Sequence, residues 1–242
     1  MMTAQGQLFA PVDRFDFDGE WEVKPVGRAT ADRWFGMYHY SGTSGTVNGK
    51  AFGVYAGDAV SLVAIGPSAN KDGLAKRYGL EAYTGNVEIV RVAVHPDSPK
   101  NTASRSVALV CHYVSRWFGL EWLFSYADTG QGHHGGIYQA LNAIYVGTTP
   151  ARHGYLLDGE SIHPRAVVHM FGTESWAKVS RMAAERGKEL VKVQDMNTPK
   201  HTYILPIAGP ATRRKIRQHL SSYSLPYPKP DCLAAAQSRG AA

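Results

Sequence analysis

Cysteine is scarce in this chain. Its 242 residues hold two, Cys111 and Cys232. One sits in an apolar run of helical spacing and the other in a proline-rich tail, so no disulfide framework is offered and both read as free thiols in a reducing compartment. Two distant cysteines, with no H-x-H, H-x-x-x-H or C-x-x-C pattern, also leave no structural zinc site. No run of about eighteen apolar residues occurs, which excludes a membrane-spanning helix. The opening stretch MMTAQGQLFAPVDRFDFDGEW has no basic region followed by an apolar one. The expectation is therefore a chain without a secretory signal, working in the cytoplasm. A Walker phosphate loop is missing, and so is the G-x-S-x-G turn of serine hydrolases.

What is present is an ordinary globular balance, 44% hydrophobic and 19% charged, with a net charge of +6. The excess is unevenly spread. Asp13, Asp16, Asp18, Glu20 and Glu22 face Arg14 alone at the start, whereas Arg213, Arg214, Lys215, Arg217, Lys229 and Arg239 face Asp231 alone near the end. Such a basic run suits a phosphate-contacting surface, with Arg213, Arg214, Lys215 and Arg217 as candidate DNA contacts. It would equally serve as a solubilising helix end.

The periodicities predict strands at Trp21–Val26, Ala51–Tyr55, Ala59–Ile65, Val87–Pro96 and Glu121–Asp128. Gly57-Asp58 joins the second and third as a hairpin. Helices are expected from an N-cap at Thr30 to about Tyr38, from Asn101 to a stop at Gly119, from Ile137 to Tyr145, over Ser175–Arg186, and over Ala211–Leu220. LVKVQ and HTYILPI read as a late antiparallel pair, and Ser41–Gly49 as a glycine-rich loop. Alternation of strand and helix in the middle implies an α/β (α+β) fold with a central mixed, partly parallel sheet flanked by helices. The expected division is an acidic extension at 1–20, one catalytic domain at 21–220 and a flexible tail at 221–242.

Three groups of residues could carry chemistry. PDSPKNTASRS places Asn101, Ser104 and Arg105 around a helix start, where free backbone N–H groups attract an anion; ordinary N-capping explains the same residues. SYADTGQGHHGGIYQALNAIYVG delivers Asp128, with no neutralising neighbour in the string, just past a strand end. In the same string Tyr138, Asn142 and Tyr145 are expected on one helix face, with Ile137, Leu141 and Ile144 opposite. Tyr138 there is either a general acid or an anchor to the sheet. His39 and Tyr40 close the helix before the glycine loop and could shuttle a proton or help ligate iron.

The element order is similar to the GNAT N-acetyltransferase fold. That resemblance implies that Val87–Pro96 is the central strand and that the helix from Asn101 holds a cofactor pyrophosphate. The chain departs from it in having no glycine between Asn86 and Gly119. RVAVHPDSPKNTASRS, MYHYSG and above all YADTGQGHHGGIYQALN resemble the Mom family of phage adenine-modification proteins, over about Trp21 to Gly154. The resemblance implies an enzyme that converts adenine in double-stranded DNA to a carbamoylmethyl form, shielding phage DNA from restriction. It implies a site of His39, Tyr40, Arg91, Ser104, Asp128 and Tyr138, fed by a small-molecule donor that is acyl-CoA-like, with or without iron. Asp128 would accept the proton of the amine, Arg91 would hold a carboxyl or phosphate group of the donor, and Tyr40 or Tyr138 would stack on an adenine turned out of the duplex. An acyltransferase acting on a small-molecule or protein amine is the alternative.

Overall fold

The computed structural model describes residues 19–40, 49–67, 73–162, 164–173 and 175–230. Nearly all of the acidic extension, the glycine-rich loop at 41–48 and the alanine-rich terminus fall outside them. The chain divides into two compact units: a larger one of 1–127, 135–147 and 202–228, and a smaller one of 128–134, 148–201 and 229–242.

In the larger unit seven strands stand in the order β1-β2-β3-β4-β5-β10-β6. They are β1 (Glu22–Val26), β2 (Lys50–Ala56), β3 (Asp58–Pro67), β4 (Val87–Val94), β5 (Trp122–Asp128), β6 (Ile144–Thr148) and β10 (Lys200–Pro206). The first four pair antiparallel, and β4 pairs parallel with β5. The expected mixed, partly parallel sheet is thus present. The β2–β3 hairpin turns on Gly57, whose φ of +75° is the left-handed conformation expected of it.

β2 and β3 are buried almost throughout, because helices cover both faces of the sheet. On one face α3 (Thr102–Phe118) presents Val107, Val110, Cys111 and Val114 to Phe52, Val54, Val63, Ile65 and Leu123. This is the helical stripe that the spacing announces, ended by Gly119 at φ +64°. On the other face α1 (Arg28–Tyr38) sets Ala31, Trp34 and Phe35 against Ala51, Tyr55, Leu62 and Ala64. Thr30 is not the cap of α1. Gly27 holds that place, and Thr30 is buried inside the helix. A third cluster joins Trp122, Phe124 and Ile204 to α2 (Gly73–Arg77) and α7 (Pro210–His219) through Leu74 and Ile216.

Two expectations fail for a shared reason, that the deciding partners are distant in sequence. The stretch 137–145 is not one helix. α4 (Gly136–Ala140) is a single turn, Asn142 takes φ +53°, and Ile144 opens β6. Tyr138 therefore faces the core, and Tyr145 lies on a strand. The late strands are also not a pair: β10 lies between β5 and β6, whereas β9 (Leu190–Asn197) belongs to the smaller unit.

That unit is a three-stranded sheet, β8-β7-β9, built from β7 (Arg152–Leu157), β8 (Glu160–Ile162) and β9. Asp158 and Gly159, both at positive φ, make the tight β7–β8 turn. Helices α5 (Pro164–Phe171) and α6 (Trp176–Glu185) supply Val167, Phe171, Val179 and Ala183 to a core around Tyr155.

Gly135, which opens α4 at φ +84°, has no room for a side chain. A Cβ there would lie 2.3 Å from Cε2 of the buried Tyr203 ring. Gly132 has φ +70° but nothing within 4 Å of that position. In urea denaturation Gly135→Ala is expected to cost about 2–4 kcal/mol and Gly132→Ala about 1–2 kcal/mol, because the second carries backbone strain without a clash.

Candidate functional site

The parallel pairing of β4 with β5 is brief. Val87, Glu88 and Ile89 face Leu123, Phe124 and Ser125, and no further pairs follow, although β4 continues to Val94. On its other side β4 shifts register against β3 at this point, Arg91 pairing with Ala64 and Ile89 with Ile65, so that Val90 is the extra residue. A bulge bends a strand and re-aims the side chains beside it. Here it turns β4 away from β5 and sets the direction of Arg91.

The Arg91 guanidinium Nη1 lies 2.9 Å from Nδ1 of His39, the residue that closes α1. A guanidinium can only donate, so Nδ1 accepts and the proton of a neutral imidazole ring sits on Nε2. The Tyr40 ring lies against that of His39, with centroids 4.3 Å apart at 34°. Tyr40 is 59% exposed, leaving much of its ring open to a ligand. Burial lowers the Arg91 pKa, with Tyr40 acting the other way. Three of the expected site residues, from α1 and β4, thus meet in the larger unit.

Tyr138 is a core residue and not a surface phenol. It is 8% exposed and packs on Tyr203, with ring centroids 5.4 Å apart. Its hydroxyl lies 2.6 Å from Ser125 Oγ, which is itself 2.9 Å from the Ile89 carbonyl. The single serine proton must go to the carbonyl, so the phenol donates to Oγ. This chain of hydroxyls sits at the last paired position of β4 and β5. Burial, above all, pushes the Tyr138 pKa up to about 12; the Ser125 bond opposes it, while Glu88, Tyr40 and Cys111 add to it. The phenol keeps its proton at neutral pH. Stacking on a base is not open to so enclosed a ring. The Cys111 thiol, wholly buried, is also pushed up to about 12 and is inert as a nucleophile.

At the start of α3, Asn101 holds the N-cap place with φ +71° and no side-chain cap. It supplies the left-handed backbone for which glycine is the usual residue. The Ser104 hydroxyl turns to the Asn101 carbonyl at 3.0 Å, and that of Thr102 to the Pro99 carbonyl at 2.8 Å. Neither hydroxyl caps the helix, although the amide of Thr102 itself donates to the Pro99 carbonyl at 3.2 Å. Arg105 is engaged elsewhere, over the Trp21 ring at 3.8 Å.

Asp128, at the end of β5, belongs to the smaller unit and is not left unneutralised. Its Oδ1 accepts from Gly130 N and from Thr198 Oγ1, each at 2.9 Å, and its Oδ2 lies 3.6 Å from Lys200 Nζ. Thr129 ties the same two turns together by donating to the Pro199 carbonyl at 2.6 Å. Thr198 and Lys200 were invisible to sequence reasoning because they lie some 70 positions away, and Ser125 because a serine in an apolar strand carries no signal. The string GQGHHG at 130–135 does satisfy G-x-G-x-x-G between a strand and a helix. The helix it opens is one turn long and Gly135 packs on Tyr203, so it is not a phosphate-binding turn.

Of the basic candidates, Arg213, Arg214 and Lys215 are exposed on α7. Arg217, on the same helix, is partly exposed and donates through Nη2 to the Asn142 carbonyl at 2.6 Å. The supposed tail is packed at its start. Leu225 N donates to the Tyr145 carbonyl at 2.9 Å, and the Tyr227 hydroxyl to the Ala143 carbonyl at 2.6 Å. An iron held by His39 and Tyr40 does not fit the donor set, because the cationic Arg91 already occupies Nδ1. Among the described residues no group of three or more His, Cys, Asp or Glu side chains could hold a metal ion. No described helix is long and apolar enough to cross a membrane.

A family model described as the Mom protein family matches residues 20–229. The methylcarbamoylase Mom of Escherichia phage Mu is 29% identical over 168 residues, covering 59% of this chain and 69% of its own. Among solved structures, an N-acetyltransferase from Staphylococcus aureus aligns over 78% of this chain and 99% of its own at 11% identity, with a TM-score of 0.43. An acetyltransferase of Bacillus subtilis in complex with CoA aligns over 77% and 99% at 10% identity, with a TM-score of 0.44.

The hydroxyl chain sets an order of stabilities. Ser125→Ala strands the buried phenol and removes the donor to Ile89, an expected loss of about 1–3 kcal/mol in urea denaturation, whereas Tyr138→Phe, which leaves the Ser125–Ile89 bond intact, costs about 0.5–1.5 kcal/mol. In the smaller unit burial holds His201 below the ordinary histidine value of 6.5, and His134 acts in the same direction. The unfolded chain therefore takes up that proton first as the pH falls. Stability measured against pH should decline below about 6.5 from this group, and His201→Gln should flatten that part of the profile.

Proposed function

The chain belongs to the Mom protein family, and on that premise we propose that it is a transferase that places a carbamoylmethyl group on adenine in double-stranded DNA, in the host cytoplasm, where the product protects phage DNA from restriction. The observation that carries this reading is the Arg91–His39 hydrogen bond. It draws together residues 52 positions apart that the family resemblance had marked, and it does so where β4 leaves β5.

The roles follow from the chemistry of each group. Adenine's exocyclic nitrogen is a weak nucleophile, since its lone pair is delocalised into the ring, and it must lose a proton during transfer. We assign that proton to Asp128, whose carboxylate the bonds from Gly130 and Thr198 orient. The exposed Tyr40 ring stacks on the adenine turned out of the duplex. His39 holds Arg91, whose remaining guanidinium donors bind a carboxyl or phosphate group of the donor. Tyr138, protonated at neutral pH, keeps the end of the β4–β5 pairing closed and offers its environment a fixed dipole.

An acyl-CoA-like donor fits the residues present. The uncapped first turn of α3, with Asn101 in the left-handed conformation, suits a phosphate group, and the edge of β4 beyond Ile89 offers backbone groups to an extended amide arm. When bound, the donor would supply the group that is transferred: its bond to the transferred carbon would break as the adenine nitrogen bonds to that carbon, the donor departing as its thiol and the amine proton going to Asp128.

Arg213, Arg214 and Lys215 on α7 contact the DNA backbone, which fixes position but carries no sequence information. Replacing Arg213 and Arg214 by Ala should reduce the slope of log affinity against log salt by about two. Mass spectrometry of nucleosides from cells expressing the chain should show deoxyadenosine carrying the added group. Asp128→Asn is expected to lower the yield by about 10²- to 10⁴-fold. Unmodified deoxyadenosine in the presence of folded wild-type protein would sink the reading. Efficient turnover of an acyl-CoA on small amines would favour an ordinary acyltransferase.

A further inference from the structure

The turn between α4 and β6 is short, and two of its carbonyl groups, with a third at the start of β6, are taken by one distant segment. Arg217 Nη2 donates to the carbonyl of Asn142 at 2.6 Å, the Tyr227 hydroxyl to that of Ala143 at 2.6 Å, and Leu225 N to that of Tyr145 at 2.9 Å. In the reverse sense Gln139 Nε2 donates to the carbonyl of Pro228 at 3.2 Å, while also lying 3.1 Å from the Tyr203 hydroxyl. Burial anchors this segment only at its start, where Leu220 is in the core and Tyr223 packs on Tyr78; further on Leu225 is 48% exposed and Tyr227 40%, so burial alone does not hold that part in place.

The α4 turn needs such support. A five-residue helix lies well below the length at which a helix is stable by itself. It opens on Gly135 and ends on a left-handed Asn142. Its apolar side carries Tyr138, whose hydroxyl must meet Ser125 at 2.6 Å. A hydrogen bond of that length tolerates little drift of the helix that carries it.

We propose that the C-terminal segment from Arg217 to Pro228 is a clamp that positions Tyr138, with Arg217 and Tyr227 as its two side-chain anchors. Arg217 is accordingly a positioning residue and contributes nothing to DNA contact. In the clamp the guanidinium holds an otherwise unsupported carbonyl at the end of α4, and Tyr227 holds the next one. The consequence for chemistry rests on the proposed adenine-modifying function; the consequence for structure does not.

The test uses the full chain with Arg217→Met, Tyr227→Phe, the two combined, and Arg217→Lys as the conservative replacement, which keeps a donor for Asn142. Hydrogen exchange is read at Leu141, Asn142 and Ala143, whose amides bond to the carbonyls of Tyr138 and Gln139, and at Val110 and Val114 of α3 as a control for the fold. The double variant should raise exchange at the first three at least about tenfold with the α3 amides unchanged. Arg217→Lys should recover most of that protection. The slope of log DNA affinity against log salt should stay at the wild-type value in Arg217→Met, while kcat falls about tenfold at unchanged KM for DNA, as loss of positioning requires. Unchanged exchange in the double variant overturns the clamp. So does a salt slope lowered by about one in Arg217→Met, which would return that residue to the DNA surface. Should the double variant not fold, Tyr227→Phe alone, which removes a single hydroxyl, decides by exchange. If the wild-type chain modifies no adenine, the functional reading fails while the exchange measurement still judges the clamp.

Discussion

Where two parallel strands part inside a sheet, their backbone groups lose partners, and something must stand in for the missing strand. In the larger unit that happens after Ile89 and Ser125, and the substitute is a side chain. The Ser125 hydroxyl reaches across to the Ile89 carbonyl and in turn receives the phenol of Tyr138. Much of the larger unit depends on this junction. The bulge at Val90 bends β4 away from β5, and in doing so presents Arg91 to the end of α1. Tyr138 packs at a tilt on Tyr203, which in turn packs on Tyr145 of β6.

The same junction explains the electrostatic contrast within the larger unit. Arg91 keeps its half-buried guanidinium in place with one donor satisfied by the His39 ring. Tyr138, a few residues' width away in the core, is held neutral by burial. In the smaller unit the charged group is Asp128, which accepts from Thr198 and is paired with the Lys200 ammonium.

Local pattern carried the fold as far as local pattern decides it. The valines of β4, the stripe of Val107, Val110 and Val114, and the stop at Gly119 all express short-range rules, and each stands where the periodicity put it. The failures came where a local signal competed with a distant partner. Ile137, Leu141 and Ile144 have helical spacing, but β10 draws the latter part of that stretch into a sheet, and Asn142 permits the break. Leu190–Asn197 and Lys200–Pro206 look like a hairpin, yet each finds its neighbours elsewhere. For the site, His39, Tyr40, Arg91 and Tyr138 were legible through a family likeness, and three of them do meet. Their supporting groups were not, because Ser125, Thr198, Lys200 and Arg217 act through hydrogen bonds spanning from 13 to 75 positions, a relation that leaves no trace in spacing.

The position of β10 beside β6 has a further meaning for how this chain could be built and altered. The chain leaves the sheet at the end of β6 and returns along β10, and at that neck the amide of Thr149 bonds to the carbonyl of Lys200 at 2.9 Å. The roughly fifty residues between are therefore a closed excursion whose two ends already meet. Closing a loop between ends so near costs entropy that grows only slowly with the length enclosed, about 0.6 kcal/mol for each doubling. Such a neck is a natural point of modular exchange: material can be lengthened, shortened or swapped beyond it while the strands on either side keep their register.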